Sequence, residues 1–302
     1  MQILIAKPRL DIPFKSKEKN PKKRNIKLSP IRQHWKNFLD KLEKEKREEG
    51  HEVEILELPR LQITPEVIDS IDADLSYIPH TEKHVFSTKS ACLFYHQSVF
   101  PHLFTIDEEG FAGGASFIDS YQYYSWNKCD NIFQEYKKNI ITGKTKFNQP
   151  SKLYEGKDNF ILVPLQLPHD ETIKYHSNVS VVDFAISIAS WAQKNKLNVI
   201  FKTHPVNPES LNVVRRSISM FKTSHFSTTH SLHSLLKKCK ACYVINSGTG
   251  IEAMLHEVPV VAFGKTEYKH SVIKGNILDL DKTWDLVNSW SSAEPYKKFY
   301  DW

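Results

Sequence analysis

The stretch from Val244 to Gly264, VINSGTGIEAMLHEVPVVAFG, limits the fold more than any other part of the sequence. The apolar segments at its two ends, CYVIN and PVVAFG, are rich in β-branched residues and have the length of buried strands. Between them, a loop of small residues, SGTG, opens a helix, IEAMLHE. A strand, a helix and a strand in so short a span predict parallel strands joined by a crossover, and therefore an α/β fold.

The same alternation runs through both halves of the chain. In the N-terminal half, strands are predicted at QILIA, HEVEILELP and ADLSYIP, with helices at IRQHWKNFLDKLEKEKREEG and PEVIDSID. We also expect helices over residues 84–100 and 121–141. In the C-terminal half, FILVPLQ, LNVIFKTHP and ACYVIN are predicted strands, and VSVVDFAISIASWAQKN is an amphipathic helix.

Two domains follow from this pattern. The segment TGKTKFNQPSKLYEGKDN has turn formers and charges but no hydrophobic period, so we place the boundary near Gln149. This gives an N-terminal domain at 1–149 and a C-terminal domain at 150–302, each doubly wound and Rossmann-like, facing each other across a cleft. We expect the last helix to pack back on the N-terminal domain. Ligands of such sheets bind at the carboxyl ends of the strands.

Composition narrows the class of protein. The 302 residues contain no apolar run long enough to span a bilayer, and MQILIAKPRL gains charge too early for a signal peptide. Four cysteines without a secretory signal indicate a reducing compartment, so a cytoplasmic protein is expected. The net charge of +6 comes partly from the run Lys15 to Lys27. This run is either a solvated loop or a contact with anionic lipid at the inner membrane face, and it lacks the aromatic residues typical of nucleic-acid binding.

The loop Asn246 to Gly250, NSGTG, is the first of four candidate site segments that follow predicted strands. Small residues such as Gly248 and Gly250 let a ligand approach the backbone, and a helix start offers unpaired N–H groups to an anion. The Ser247 and Thr249 hydroxyls can add hydrogen bonds, but serine and threonine also cap ordinary helices. The loop is neither a Walker A motif nor a GxGxxG fingerprint.

Glu252, one turn into that helix, is either a ribose ligand or a solvated helix residue. The segment KTHP, Lys202 to Pro205, closes another strand. His204 in this segment can donate to a phosphate oxygen or to a leaving group, or it can simply end the strand.

The remaining two segments carry carboxylates. In PLQLPHDET, Asp170 and Glu171 follow a strand and a Pro-bounded loop, so Asp170 is either a nucleophile or base, or the cap of the next helix. In IDEEGFAGGASF, Glu108 and Glu109 end in a Gly-rich turn, which is either a solvated turn or an acidic group on the opposite domain.

Two cysteine and histidine patterns do not predict a metal site. CKAC, Cys239 to Cys242, has the CxxC spacing but no second pair completes a zinc site, and Cys242 fits the core of a strand. HSLH, His230 to His233, has no acidic partner and fits the start of a helix.

The order of these segments resembles the capsule polysaccharide biosynthesis family. LVPLQLPHDET, FKTHP and INSGTGIEAMLHEVPVVAFGKTEY are similar to its motifs, and DEEGF is similar to its acidic-Gly motif. The family includes retaining β-Kdo transferases of the GT-B fold. Bacterial sialyltransferases and polysialyltransferases, which also use CMP-activated sugars, show a similar order of motifs. The resemblance covers about Thr105 to Tyr268.

The resemblance implies a role for each segment. The C-terminal domain would hold a CMP-sugar, with its phosphate at His204 and at the loop Ser247, Gly248, Thr249 and Gly250, and with its ribose near Glu252. Lys202, Pro205 and Asn246 would belong to the same nucleotide site. Asp170 would be the nucleophile of a retaining double displacement. Glu109, or its neighbour Glu108, would be the general base for the acceptor, a surface polysaccharide or glycolipid. No metal or other cofactor is implied.

The chain departs from the family pattern at two places. LHEVPV stands where Gly-Lys-Pro is common, and EEGFAGG lacks the Arg that often follows the acidic motif, which affects acceptor handling. Two alternatives stay open: a CDP-glycerol or CDP-ribitol polyol-phosphate transferase of the teichoic-acid type, which also has a GT-B fold, an HP motif and a Ser-rich loop, and a non-catalytic glycan- or lipid-binding protein with the same fold.

Overall fold

The computed structural model describes residues 1–10, 29–128, 130–141, 147, 149–205 and 207–302. These residues form two compact units, Met1–Phe111 (unit 1) and Ala112–Trp302 (unit 2). The basic run Lys15 to Lys27 lies outside the described residues.

Unit 1 is built on a five-stranded sheet in the order β2-β1-β3-β4-β5. The first four strands are parallel, and β5 is antiparallel to β4. Its elements are β1 Gln2–Pro8, α1 Pro30–Glu48, β2 Glu52–Leu58, α2 Pro65–Ile68, β3 Leu75–Pro79, β4 Ala91–Gln97 and β5 Phe104–Asp107. One face of the sheet packs on the apolar side of α1 through Trp35, Leu39 and Leu42.

The predicted helix over residues 84–100 is wrong, because this segment contains strand β4. Its sequence, ACLFYHQ, places Phe94 and Tyr95 in the core at 1% and 0% exposure. β4 pairs with β3 on one side and with β5 on the other, and the Tyr95 hydroxyl donates to the Ala6 carbonyl at 2.6 Å. Pairing with distant strands has therefore decided the conformation of a segment whose local pattern is ambiguous.

Unit 2 is built on a six-stranded, fully parallel sheet in the order β11-β10-β9-β6-β7-β8. Its strands are β6 Phe160–Pro164, β7 Val199–Lys202, β8 Ser224–Ser227, β9 Cys239–Val244, β10 Val260–Ala262 and β11 Ile273–Lys274. Its helices are α3 Asn131–Ile141, α4 Glu171–His176, α5 Val181–Lys194, α6 Asn212–Ile218, α7 Leu232–Leu236, α8 Thr249–Met254, α9 Leu280–Ser289 and α10 Glu294–Asp301.

The core of unit 2 explains why β6, β7, β9 and α5 were predictable. Strands β6, β7 and β9 are buried almost throughout, and α5 places Phe184, Ala185 and Ile188 against them. Continuous apolar strands with an amphipathic helix between them are what a parallel sheet covered on both faces requires. Two parallel-sheet units confirm the predicted α/β class.

The helix predicted over residues 121–141 is shorter in the structure. A 3-10 helix covers Ser116–Tyr123, and α3 begins only at Asn131. Lys128, in the segment between them, has a φ of 57°, which a continuous helix of L-residues does not accommodate.

The boundary between the compact units differs from the predicted one near Gln149. Residues of the segment that follows Phe111 pack with the C-terminal residues. Phe133 on α3 meets the Tyr300 ring edge-on at 5.3 Å, and Lys137 forms an ion pair with Glu257 at 2.5 Å. The last helix, α10, thus packs on α3 inside unit 2. The turn-rich sequence near Gln149 lacks a hydrophobic period, so the boundary was predicted there. The packing of α3 on α10 instead places α3 in unit 2.

None of the helices in the described ranges is both long and apolar enough to cross a membrane.

Candidate active site

The connectivity of unit 2 creates a switch point between β6 and β9. From β6 the chain moves outward through β7 and β8, and it then returns to the other side of β6 to form β9, β10 and β11. The connections that follow β6 and β9 therefore leave the sheet in opposite directions. In open α/β sheets this is where a crevice forms at the carboxyl ends of the strands and where ligands bind.

A hydrogen-bond network joins the two loops at this switch point. Gln166, just after β6, donates from Nε2 to Asn246 Oδ1 at 2.8 Å and accepts from the Asn246 backbone N–H at 3.2 Å. Asn246, just after β9, donates from Nδ2 to the Thr172 carbonyl at 2.7 Å. Gln166 and Asn246 are 7% and 4% exposed. The network ties α4 to both central strands.

Asp170 lies at the outer end of this network. Its Oδ1 accepts from the Thr172 backbone N–H at 2.9 Å and from the Thr172 hydroxyl at 2.8 Å, so it caps α4. Gln166 Nε2 also donates to that hydroxyl, at 3.0 Å. Oδ2 accepts no hydrogen bond from any residue in the described part of the chain. One carboxylate oxygen is fixed and the other is open, so capping and a chemical role are compatible at this residue.

Hydrogen bonds within the loop and from the buried Tyr268 hold the Ser247 loop in place. Ser247 Oγ accepts from the Thr249 N–H at 3.2 Å, and the buried Tyr268 hydroxyl donates to the Ser247 carbonyl at 2.6 Å. A Cβ at Gly250 would lie 2.5 Å from the Tyr268 hydroxyl oxygen, so only glycine permits this approach. Gly248 precedes α8 and provides no side-chain cap. The loop thus has a small-residue backbone whose geometry is fixed by these contacts.

Glu252, which the sequence analysis interprets as either a ribose ligand or a solvated helix residue, is buried in the structure. It is 7% exposed, and its charge raises the pKa of both Tyr300 and Cys242, although burial is the larger cause for each. It therefore lies against the packed interior of unit 2. The prediction of a solvated helix residue is wrong.

The segment KTHP follows β7, the strand next to β6. Lys202 is 3% exposed, and its backbone carbonyl accepts from the Leu165 N–H at 2.8 Å. Burial lowers the pKa of the Lys202 ammonium. The His204 ring meets Phe147 edge-on at 5.1 Å, and Pro205 follows it. These residues lie at the same sheet edge as Gln166 and Asn246.

The acidic segment lies in unit 1, at the end of β5. Asp107 is buried and its Oδ1 accepts from the Glu109 and Gly110 N–H groups, both at 2.9 Å. Glu108 and Glu109 are exposed, and Glu109 pairs with Lys83 at 2.6 Å, which raises the pKa of Lys83. The turn is therefore built by Asp107, and it displays the next two carboxylates to solvent.

Sequence reasoning did not identify Gln166, Thr172 and Tyr268 as parts of the site. The position of Gln166 directly after a buried strand was a usable signal. The roles of Thr172 and Tyr268 depend on contacts with residues far away in the sequence, which no local pattern shows.

The cysteine and histidine patterns have structural roles. Cys242 is fully buried in β9, which confirms its prediction as a core residue, and burial raises the pKa of Cys239 to about 12. Within HSLH, His230 bonds Ser227 at 3.0 Å, whereas His233 bonds His256 at 3.0 Å. Across the described ranges, no three His, Cys, Asp or Glu residues are grouped in a way that would hold a metal ion.

Two parallel-sheet units, the second with its polar residues at the switch point, define a GT-B-like α/β protein. The model of the family described as "Capsule polysaccharide biosynthesis protein" matches residues 91–276. The chain therefore belongs to this family. The matched range includes both carboxylate segments and the KTHP and NSGTG segments of the candidate site.

Two solved structures with a similar fold come from Thermosulfurimonas dismutans. The KpsC beta Kdo 2,4 transferase has a TM-score of 0.56 at 12% identity, covering 89% of this chain and 85% of that one. The KpsC beta Kdo 2,7 transferase has a TM-score of 0.50 at 17% identity, covering 81% and 86%. At these identities the similarity establishes the fold alone. No curated protein matches the sequence.

Proposed function

We propose that the protein is a glycosyltransferase that moves a sugar from a nucleotide donor onto a surface polysaccharide or glycolipid. The observation that carries this proposal is Asp170, which has Oδ1 anchored by Thr172 and Oδ2 open at the switch point of the sheet. Membership of the capsule polysaccharide biosynthesis family supports the acceptor class.

The chemistry that we propose is a retaining double displacement. Asp170 Oδ2 attacks the anomeric carbon, the bond from that carbon to the phosphate oxygen breaks, and the nucleotide leaves with the electron pair. The acceptor hydroxyl then attacks the sugar ester and releases the Asp170 carboxylate. Glu109, or Glu108 beside it, takes the hydroxyl proton. Two carboxylates that divide the nucleophile and acid–base roles are what a retaining transfer at a cationic sugar centre requires.

For the donor, we propose a CMP-sugar of Kdo or a related ulosonic acid. Two observations support this choice: the motif order resembles that of β-Kdo transferases, and the similar folds belong to proteins described as beta Kdo transferases. In this proposal the phosphate is bound by the Ser247 to Gly250 loop and His204, and Asn246, Lys202 and Pro205 belong to the same nucleotide site. The transfer needs no metal, since the backbone amides at the start of α8 and His204 meet the leaving-group charge.

Glu252 is proposed to act in the nucleotide site from beneath. It is buried in the first turns of α8, directly after the Ser247 loop, and in this proposal it lies near the ribose of the bound nucleotide. We also propose that the protein works in the cytoplasm at the inner membrane face, where the run Lys15 to Lys27 meets anionic lipid.

A nucleotide panel tests the donor class. CMP, CDP, UDP and ADP are each titrated against the full chain, and thermal unfolding is followed. A ligand that binds only the folded state stabilises it by about 2.7 kcal/mol at 100 times its Kd. We expect the largest increase in Tm with CMP. A larger increase in Tm with CDP would indicate a CDP-polyol donor instead of a CMP-sugar. No increase with any nucleotide would contradict the proposed function.

A further inference from the structure

Lys202 is a buried cation with little to compensate its charge. It ends β7 with only 3% of its surface exposed. The one hydrogen bond of its side chain in the described part of the chain goes from Nζ to the Thr203 carbonyl at 3.2 Å. No described carboxylate lies within ion-pair distance of it. An ammonium has three N–H donors, so two remain for another partner.

A second basic group adjoins this lysine at the end of β8. His230 bonds through Nδ1 to Ser227 Oγ at 3.0 Å, and Ser227, the last residue of β8, is itself buried. Burial lowers the pKa of His230, and the charges of Lys152 and Lys202 lower it further. Lys152 is held beside it by a bridge between the two backbones. Lys202 pairs with Ser227 in the strand register, so the His230 imidazole lies at the strand ends where both lysine charges act on it.

This arrangement costs free energy unless an anion completes it. A buried charge without a partner destabilises the folded state by several kcal/mol, and nearby like charges add to that cost. Proteins keep such groups where a ligand brings the opposite charge. An oxyanion at this position would accept hydrogen bonds from Lys202 Nζ and from the His230 ring.

We propose that Lys202 and His230, with Lys152 beside them, form an oxyanion-binding pocket at the carboxyl ends of β7 and β8. The pocket takes a phosphate or a sugar carboxylate of the ligand. The strand order β9-β6-β7-β8 separates it from the Ser247 loop by about two strand spacings, or roughly 10 Å between β7 and β9. A ligand that reaches both places needs two polar groups that far apart, as an ulosonic acid nucleotide has. The pocket itself does not depend on the proposed function; only its assignment to an ulosonic acid nucleotide does.

The test compares Lys202→Met with Lys240→Met. Met keeps most of the length of the lysine stem and removes its charge. Lys240 is an exposed lysine on β9 and serves as the matched control. Calorimetry is run with CMP, cytidine, inorganic phosphate and free Kdo. We expect Lys202→Met to weaken binding of an oxyanion by about 10- to 100-fold, the loss for a charged hydrogen bond, and Lys240→Met to leave it unchanged.

The ligands identify which anion occupies the pocket. Loss of CMP and phosphate affinity with unchanged cytidine affinity assigns it to phosphate. Loss of Kdo affinity with unchanged CMP affinity assigns it to the carboxylate. The unliganded Lys202→Met protein should unfold at the same or a higher Tm, because a buried unpaired charge is gone. A lower Tm with unchanged affinities indicates a purely structural lysine and overturns the proposal.

Two further outcomes separate this proposal from the proposed function. If phosphate binds and Lys202→Met abolishes that binding, but no nucleotide binds, the pocket stands and the transferase function fails. If CMP binds equally to the wild type, Lys202→Met and His230→Gln, and Kdo shows no difference, the pocket is refuted and nucleotide binding is left to the Ser247 loop. Absence of binding of every oxyanion to the wild type refutes the pocket as well.

Discussion

Gln166 joins the two central strands of unit 2 at the switch point, so its replacement tests the architecture of the site. Gln166→Met keeps the length of the side chain and removes all three of its hydrogen bonds, two with Asn246 and one with Thr172. The Asn246 backbone N–H then loses its acceptor, Gln166 Oε1, and Asn246 is only 4% exposed. A buried donor without an acceptor costs about 1–3 kcal/mol, and each lost ordinary hydrogen bond about 0.5–1.5 kcal/mol.

We therefore expect Gln166→Met to lower the free energy of unfolding by about 2–4 kcal/mol, less than the simple sum because the loops relax. Gln193→Met is the matched control. Gln193 is exposed on α5 and accepts one hydrogen bond from the Lys222 N–H at 2.7 Å, so its loss should cost at most about 1 kcal/mol.

Urea unfolding followed by tryptophan fluorescence measures both variants. Of the six tryptophans, only Trp35 lies in unit 1, so the signal reports mainly on unit 2. The midpoint of Gln166→Met should fall well below that of the control with a similar m-value. Equal midpoints for the two variants would refute the view that this network holds the β6 and β9 loops together.

Three other perturbations test separate parts of the account. Gly250→Ala places a methyl group against the Tyr268 hydroxyl. It should lower the free energy of unfolding in urea by about 1–3 kcal/mol and weaken nucleotide binding. A variant as stable as the wild type contradicts the close approach. The His233–His256 pair, with pKa values lowered by burial to about 4 and about 3, should destabilise the protein as pH falls from about 6.5 toward 4, by up to about 1.4 kcal/mol per pH unit for each histidine. Replacing both with Leu should flatten the dependence of urea midpoints on pH. Deletion of Lys15 to Lys27 should reduce sedimentation with phosphatidylserine vesicles at low salt; unchanged sedimentation would leave the run as a solvated loop.

The sequence predicted β6, β7, β9 and β10 because their apolar runs are continuous and are separated by clear helical periods, but it did not predict the short strands β8 and β11. It failed at β4, whose conformation depends on pairing with β3 and β5, and at the boundary after Phe111, because the contacts of α3 with α10 join residues far apart in the chain. Local patterns do not contain such long-range pairings.

The sequence predicted where the polar segments of unit 2 lie on the sheet, but not their contacts. Short polar segments follow β6, β7 and β9, and these parallel strands end at one edge of the sheet. The bonds between Gln166 and Asn246 join residues 80 positions apart, and the burial of Lys202 and Glu252 depends on surrounding elements. Neither could be derived from residue type and spacing.

The central claim is that Asp170 forms a covalent bond with the sugar. Asp170→Asn is a suitable variant, because Asn also caps helices and should keep the bond from the Thr172 N–H. Asp183→Asn, at the start of α5, is the control for losing a helix-start carboxylate. We expect Asp170→Asn to lose transfer by several orders of magnitude while CMP affinity stays within a few-fold, and Asp183→Asn to stay active.

Intact-protein mass spectrometry of Glu109→Gln incubated with the CMP-sugar tests this claim most directly. Without the base that activates the acceptor, the sugar ester should accumulate, and peptide mapping should place the added mass on Asp170. An adduct on Glu171 would keep the double displacement and move the nucleophile by one residue. Normal transfer by Asp170→Asn, with no adduct on any carboxylate of Glu109→Gln, would contradict the account.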